Sequence, residues 1–327
     1  MAVFIGENMF DNIMFCINAI LPVFLIIVLG NLLYKTKFLS DGFINTADKL
    51  VFKCALPASL FYNVATTDFT KTFNGKLTSF CVIGIICVFL VITVTVGPAI
   101  KRKDIRGAVL QGIYRSNFAI LGIPLAQNLF GDAGATLASL LISFVIPLYN
   151  VLAVVILAMN MPSESREPAG KIFIKIVKNI ITNPLIIAVV LAIPFSLHLV
   201  SLPTVLDKSI SYLSDLSTPL ALISLGASFK LSDLKGKLGY SLFAVFMKIV
   251  VCPAVFCTIG AYMGFRGVEL GMILIAFGAP TAVSSYIMAK QMKSNYEVAS
   301  QIIVISTLLC SVTLLIGSFV LKTLNLI

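Results

Sequence analysis

Ten hydrophobic runs occupy nearly the whole chain, near residues 10 to 33, 43 to 66, 77 to 99, 107 to 130, 133 to 159, 173 to 196, 206 to 229, 238 to 263, 268 to 290 and 297 to 321. A hydrocarbon core about 30 Å thick needs ~20 apolar residues per helix, so each run has the length of one membrane span. The runs are apolar on all sides rather than alternating over ~10 residues, which predicts helices and not barrel strands. The first, Met9 to Leu33, is too long for a signal-peptide core and lacks preceding lysines, and is expected to stay as a membrane helix. Only 12% of the 327 residues are charged and the mean hydropathy is +1.03, against roughly 25% charged in soluble domains. The formal charge of +10 therefore does not point to a nucleic-acid partner, which would need a basic face on a soluble fold. All seven cysteines lie in apolar stretches without metal-site or disulfide spacing.

Lysine and arginine set the orientation, because cytoplasmic connections carry their excess. Every other connection is basic, as at Lys101, Arg102, Lys103 and Arg106, or Arg166, Lys171, Lys175 and Lys178. The predicted topology is multi-pass in the cell membrane with both termini outside. The polar stretch 160–170 divides five runs from five. An odd number of spans per half makes the second half enter the membrane upside down, the inverted-repeat plan of many secondary transporters. The expected fold is thus an all-α membrane protein of ten helices in two inverted five-helix repeats, 1–159 and 171–327, joined by a cytoplasmic linker, 160–170. Pro22 and Pro184 stand 162 residues apart, as do Pro57 and Pro219, and Phe118 and Pro280.

The last pair falls in two helix-weakening segments. The fourth run reads Arg115-Ser116-Asn117-Phe118 before Gly122 and Pro124; the ninth reads Gly278-Ala279-Pro280-Thr281, followed by Ser284. Both helices are expected to break here. A break in lipid leaves backbone groups that protein, water or a ligand must satisfy, and the N-terminus of each resumed half-helix carries partial positive charge that suits a carboxylate. Arg115, Ser116, Asn117, Phe118, Gly278, Pro280 and Thr281 are therefore the candidate substrate-binding residues. The competing reading is that proline and glycine merely kink membrane helices. For Arg115 a second reading stands equally open, in which its side chain snorkels to the cytoplasmic headgroups.

Ionisable residues inside spans are costly and suggest function. Asp48, Lys53 and Asp215 are candidates for coupling or support, against the plainer alternative of salt bridges between the acids and Lys49 or Lys53. Asn63, Tyr149 and Asn150 form a second tier of polar groups in apolar helices, where interhelical hydrogen bonding is the commoner explanation, and Ser284 of the ninth segment joins that tier. His198 falls in a predicted outer loop. No phosphate-binding loop, metal cluster or other enzymatic signature occurs, so the chain is read as no enzyme and no cofactor is expected beyond a coupling ion, H+ or Na+.

The segments Asn117-Phe118-Ala119-Ile120-Leu121-Gly122-Ile123-Pro124-Leu125 and Gly278-Ala279-Pro280-Thr281 with Ala289-Lys290, together with Ala55-Leu56-Pro57, Leu213-Ser214-Asp215 and Ser224-Leu225-Gly226, resemble the auxin efflux carrier family over essentially the whole length. The resemblance implies a scaffold of helices 1, 2, 6 and 7, a transport domain of helices 3–5 and 8–10, and helices four and nine crossing where broken. It further implies substrate contact at Asn117, an opening of the ninth helix at Pro280, and a homodimer. Plant members usually carry a proline where this chain has Ser116, and their long forms a central loop that is absent here. Short members look like permeases for malate and malonate. The function expected is secondary active transport of small organic anions by alternating access, with a membrane-embedded ligand sensor as the alternative.

Overall fold

The computed structural model describes residues 21–22, 25–66, 74–161, 174, 177–178, 181–197, 199–228 and 237–327. Most of the first run, the linker 160–170 from residue 162 onward, His198 and the N-terminal placement lie outside the described residues. The described residues form helices and connections, without a strand. In chain order the helices are α1 (Leu25–Lys35), α2 (Asp41–Leu50), α3 (Leu56–Ala65), α4 (Gly75–Ala99), α5 (Lys103–Tyr114) and α6 (Phe118–Met159). Then follow α7 (Pro184–Ser196), α8 (Thr204–Asp215), α9 (Ser217–Ser228), α10 (Leu238–Phe246), α11 (Cys252–Tyr262), α12 (Val268–Gly278), α13 (Ser284–Gln291) and α14 (Tyr296–Thr323).

Among the described residues three helices are long and apolar enough to cross a membrane: Gly75–Ala99, Leu140–Met159 and Leu238–Tyr262. The bent pair Tyr296–Cys310 and Val312–Thr323, at 42°, is a fourth if it counts as one span. Fewer clear spans than hydrophobic runs emerge for physical reasons. The fourth, seventh and ninth runs are each two shorter helices, separated at 115–117, at Leu216 and at 279–283. The second run is continuous through a π turn, Val51–Ala55, but Asp48, Lys49 and Lys53 lower its hydropathy. The first and sixth are described only in part.

Side-chain caps hold several helix starts that leave loops. Ser40 accepts from Phe43 N–H, Asn74 from Leu77 N–H and Asn295 from Val298 N–H, each satisfying one of the four donors a helix start leaves open. Gly131, at φ +62°, divides α6, a left-handed conformation that glycine adopts without a Cβ penalty.

One apolar core joins α4, α5, α6, α12 and α14 through Cys81, Ile85, Ile113, Tyr149, Ile273 and Ile302. Outward, Ile83, Leu90, Val91 and Val94 on α4 and Val312, Ile316 and Phe319 on α14 are exposed. Aqueous solvent does not favour such continuous apolar faces; lipid does.

α1 and α9 approach at backbone distance. A Cβ at Gly226 would overlap the carbonyl oxygen of Ile27, and one at Gly30 that of Ile223. Asn31 adds a bond from Nδ2 to the Gly226 carbonyl, 3.1 Å. Close contact through small residues is how membrane helices associate where lipid removes the hydrophobic drive. Gly226→Ala should therefore cost about 1–3 kcal/mol, as overpacking does, because the obstacle is backbone and cannot rotate away. A thermal midpoint in detergent equal to that of the wild type would contradict this.

Candidate functional site

The two breaks meet. The backbone N–H of Asn117 donates to the Pro280 carbonyl at 2.7 Å, and the Ser116 hydroxyl to the Ala279 carbonyl at 3.3 Å. From the other side, Thr281 Oγ1 donates to the Gly112 carbonyl at 2.8 Å, while its N–H donates to Ser306 Oγ at 3.1 Å. Gln111 Nε2 reaches the Ser285 carbonyl at 3.0 Å. Backbone groups released by one break are thus satisfied largely by the other. In a buried setting this reciprocity is what makes both breaks tolerable.

Next to this junction lies a cavity of about 100 Å³, room for several waters. Arg115, Ser116 and Asn117 line it from the first break, and Ala282, Val283 and Ser284 from the second. The N-termini of α6 and α13 open beside it, and neither is capped by a side chain. α6 contributes Ile146, Tyr149 and Asn150 further along. The opposite wall is Leu56, Ser59, Leu60 and Asn63 of α3 with Ser217, Thr218 and Ala221 of α9.

Arg115 dominates the electrostatics. It is 1% exposed, and its Nη2 donates to Asn150 Oδ1 and Ser284 Oγ, both at 2.6 Å, while Nη1 contacts the Met288 sulfur. Among the described residues no carboxylate pairs with it. A buried guanidinium next to two open helix N-termini concentrates positive potential without a negative side chain to balance it. Such a set of donors suits a carboxylate, bound through the planar fork and the backbone N–H groups together.

The sequence-derived candidates fall into three groups. Arg115, Ser116, Asn117, Asn63, Tyr149, Asn150 and Ser284 all line the cavity. Phe118, Gly278, Pro280 and Thr281 shape the junction from behind: Phe118 and Thr281 are fully buried, and a Cβ on Gly278 would press on Leu314 and Pro253.

The third group lies elsewhere. Lys53 and Asp215 are exposed and do not line the cavity. Lys53 lies in the π turn, and Asp215 is the last residue of α8, at the joint with α9. Asp48 is fully buried, but the expected pairing with Lys49 or Lys53 is not found, since both lysines are exposed. Its carboxylate instead meets Lys290 Nζ at 2.5 Å and accepts from the Ser224 hydroxyl.

Ser59, Ser217 and Thr218 were not among the candidates. Leu56, Ser59, Leu60 and Asn63 follow the spacing of one helix face, a stripe the sequence displays. Thr218 precedes Pro219 as Leu56 precedes Pro57, so the proline offset pointed at both walls.

Comparison with known proteins places the chain among transporters. An uncharacterized transporter of Methanocaldococcus jannaschii is 23% identical over 89% of this chain and 94% of its own. A protein of Rhizobium meliloti named as a candidate malonate transporter is 26% identical over 90% of this chain and 92% of its own. Auxin efflux carrier component 1 of Arabidopsis thaliana is 30% identical over 34% of this chain and 18% of its own. The model of the family described as membrane transport protein matches residues 15–317, and the chain therefore belongs to that family, which includes the auxin efflux carriers.

Proposed function

We propose that the chain is a secondary carrier of small organic anions, malonate and malate foremost, which bind at the junction of the two broken helices. The observation that carries this reading is the Arg115 guanidinium, buried beside the cavity with no paired carboxylate among the described residues. Leaving a guanidinium so placed is expensive unless an anion visits it. The carboxylate lies against Arg115, Asn117, Ser284 and the N–H groups of the two half-helix starts, and Asn150 holds the guanidinium in position. The name of the Rhizobium relative supports a dicarboxylate of this size.

The same reading takes the two halves as inverted repeats. Gly75–Ala99 and Leu238–Tyr262 are both 25 residues long, and their starts and ends stand about 163 residues apart in the chain, close to the spacing of the paired prolines. The order of broken helix, then long helix, recurs in α5–α6 and α12–α14. α1–α3 and α7–α9 form the scaffold, which dimerises, and the remaining helices form the body that rocks past it. Both termini face outside.

The test is uptake of labelled malonate, malate and an aromatic acid into proteoliposomes, followed by counterflow. Saturable uptake with counterflow of one dicarboxylate is the expected result. Binding of the acid without counterflow would overturn carriage in favour of a ligand sensor.

A further inference from the structure

We propose that the ammonium of Lys248 is a built-in counter-cation of this carrier, holding the C-terminal end of the half-helix α12 where other carriers bind a sodium ion. The inference rests on the carrier reading above and adds what drives it.

Lys248 lies in a π turn, Met247–Val251, between α10 and α11, and π turns inside α-helices are frequent at functional sites. Its side chain is 1% exposed. Nζ donates to the Phe277 carbonyl at 3.2 Å, and among the described residues no carboxylate pairs with it. Phe277 is the second-last residue of α12, directly before the break.

A helix end of this kind presents carbonyls that have lost their partners and a partial negative charge. The end of α12 is covered one group at a time. The Tyr149 hydroxyl donates to the Ala276 carbonyl, Ser116 to Ala279, and the Asn117 N–H to Pro280. All of these donors are neutral. The charged one is Lys248, on Phe277. In transporters with broken helices, half-helix C-termini are where coupling cations bind. An ammonium has the charge of a sodium ion and directs its N–H groups at carbonyl oxygens as the ion directs its field.

The junction is thereby divided by sign. The half-helix N-termini with Arg115 face the cavity and take the anion, and the C-terminus of α12 is balanced by a cation that never leaves. Sodium has no separate task in such a cycle.

The experiment measures malonate uptake into proteoliposomes with sodium, or with a bulky organic cation in its place, for the wild type and Lys248→Gln. Wild-type uptake should be the same in both media. Losing a hydrogen bond to a charged donor, worth roughly 1.5–3 kcal/mol, should lower uptake by Lys248→Gln without sodium by about tenfold to a hundredfold. Sodium should recover part of that loss by entering the vacated position.

Wild-type uptake that requires sodium would overturn the inference while leaving the carrier reading intact, and this arm holds even if the variant does not fold. A folded Lys248→Gln with full uptake would overturn it as well, as would a loss that sodium does not relieve, which would reduce Lys248 to a packing role. A wild type that carries no organic acid defeats the carrier reading and this inference together.

Discussion

Arg115→Met is expected to lower malonate uptake by a factor of about 30 or more, because losing one partner of a buried, hydrogen-bonded charge contact costs about 2–5 kcal/mol. Methionine keeps much of the length of the side chain and removes the charge. The guanidinium is 1% exposed and reaches Asn150 and Ser284 at 2.6 Å, so part of its role is to hold the cavity wall. Two measurements separate that part from anion binding. Malonate at a hundred times its Kd should raise wild-type stability by about 2.7 kcal/mol and leave Arg115→Met nearly unmoved. Arg115→Lys should fall between them, since it keeps a point charge but loses the planar fork. If Arg115→Met lowers the melting temperature yet binds malonate with wild-type affinity, the guanidinium is a brace and the anion site lies elsewhere.

How much of this was legible in the sequence depends on the scale of the feature. The break in the ninth run was readable because Gly278 and Pro280 weaken a helix through backbone geometry, whereas the break in the fourth run falls at 115–117, ahead of Gly122 and Pro124, which lie inside α6. Helix α12 ends at Gly278, with Pro280 in the break, although a proline alone does not decide this, since Pro98 and Pro194 lie inside α4 and α7. Arg115, Ser116 and Asn117 were readable as a basic and two polar residues within an apolar run, and all three reach the cavity. The polar residues Asn63, Tyr149, Asn150 and Ser284 line the cavity too, and for Tyr149 and Asn150 interhelical hydrogen bonding holds at the same time, to the Ala276 carbonyl and from Arg115.

Charge partners were not legible. Asp48 was matched with Lys49 and Lys53 because they are close in sequence, yet neighbours on a helix point in different directions. Its actual partner, Lys290, is more than two hundred residues away, at the end of the ninth run. Asp215, at the end of α8, is exposed and does not line the cavity, which hydropathy alone could not decide. Only the packing of α2 against α9 and α13 decides such pairings, and no local pattern in the sequence encodes it.

That pairing carries the second large effect. Lys290→Met should destabilise the protein by about 3–5 kcal/mol, the usual consequence of removing one partner from a buried ion pair. Asp48 is fully buried, and with Lys290 gone only the Ser224 hydroxyl, among the described residues, remains bonded to its carboxylate. Lys290 also donates to the Tyr286 hydroxyl at 3.3 Å and lies 5.3 Å from the Tyr296 ring centre, while Tyr286 in turn donates to Ser228 at 2.6 Å. The cluster therefore ties α2, α9, α13 and α14 together.

Adding Asp48→Asn to Lys290→Met should restore much of the stability, because no isolated charge is then left in the interior. Thermal midpoints of the two single variants and the double variant measure this coupling directly. Single variants that each cost under about 1 kcal/mol, in the range of exposed pairs, or losses that simply add, would show that the pair is not coupled as its burial implies. The double variant tests motion as well. Under the proposed division, Asp48 and Ser224 belong to the scaffold and Lys290 to the moving body, so the ion pair crosses the surface along which they slide. A neutral protein as stable as the wild type but with an altered uptake rate makes this pair part of the cycle; an unchanged rate puts it on one side of the sliding surface, and the boundary between the two bodies must then be drawn elsewhere.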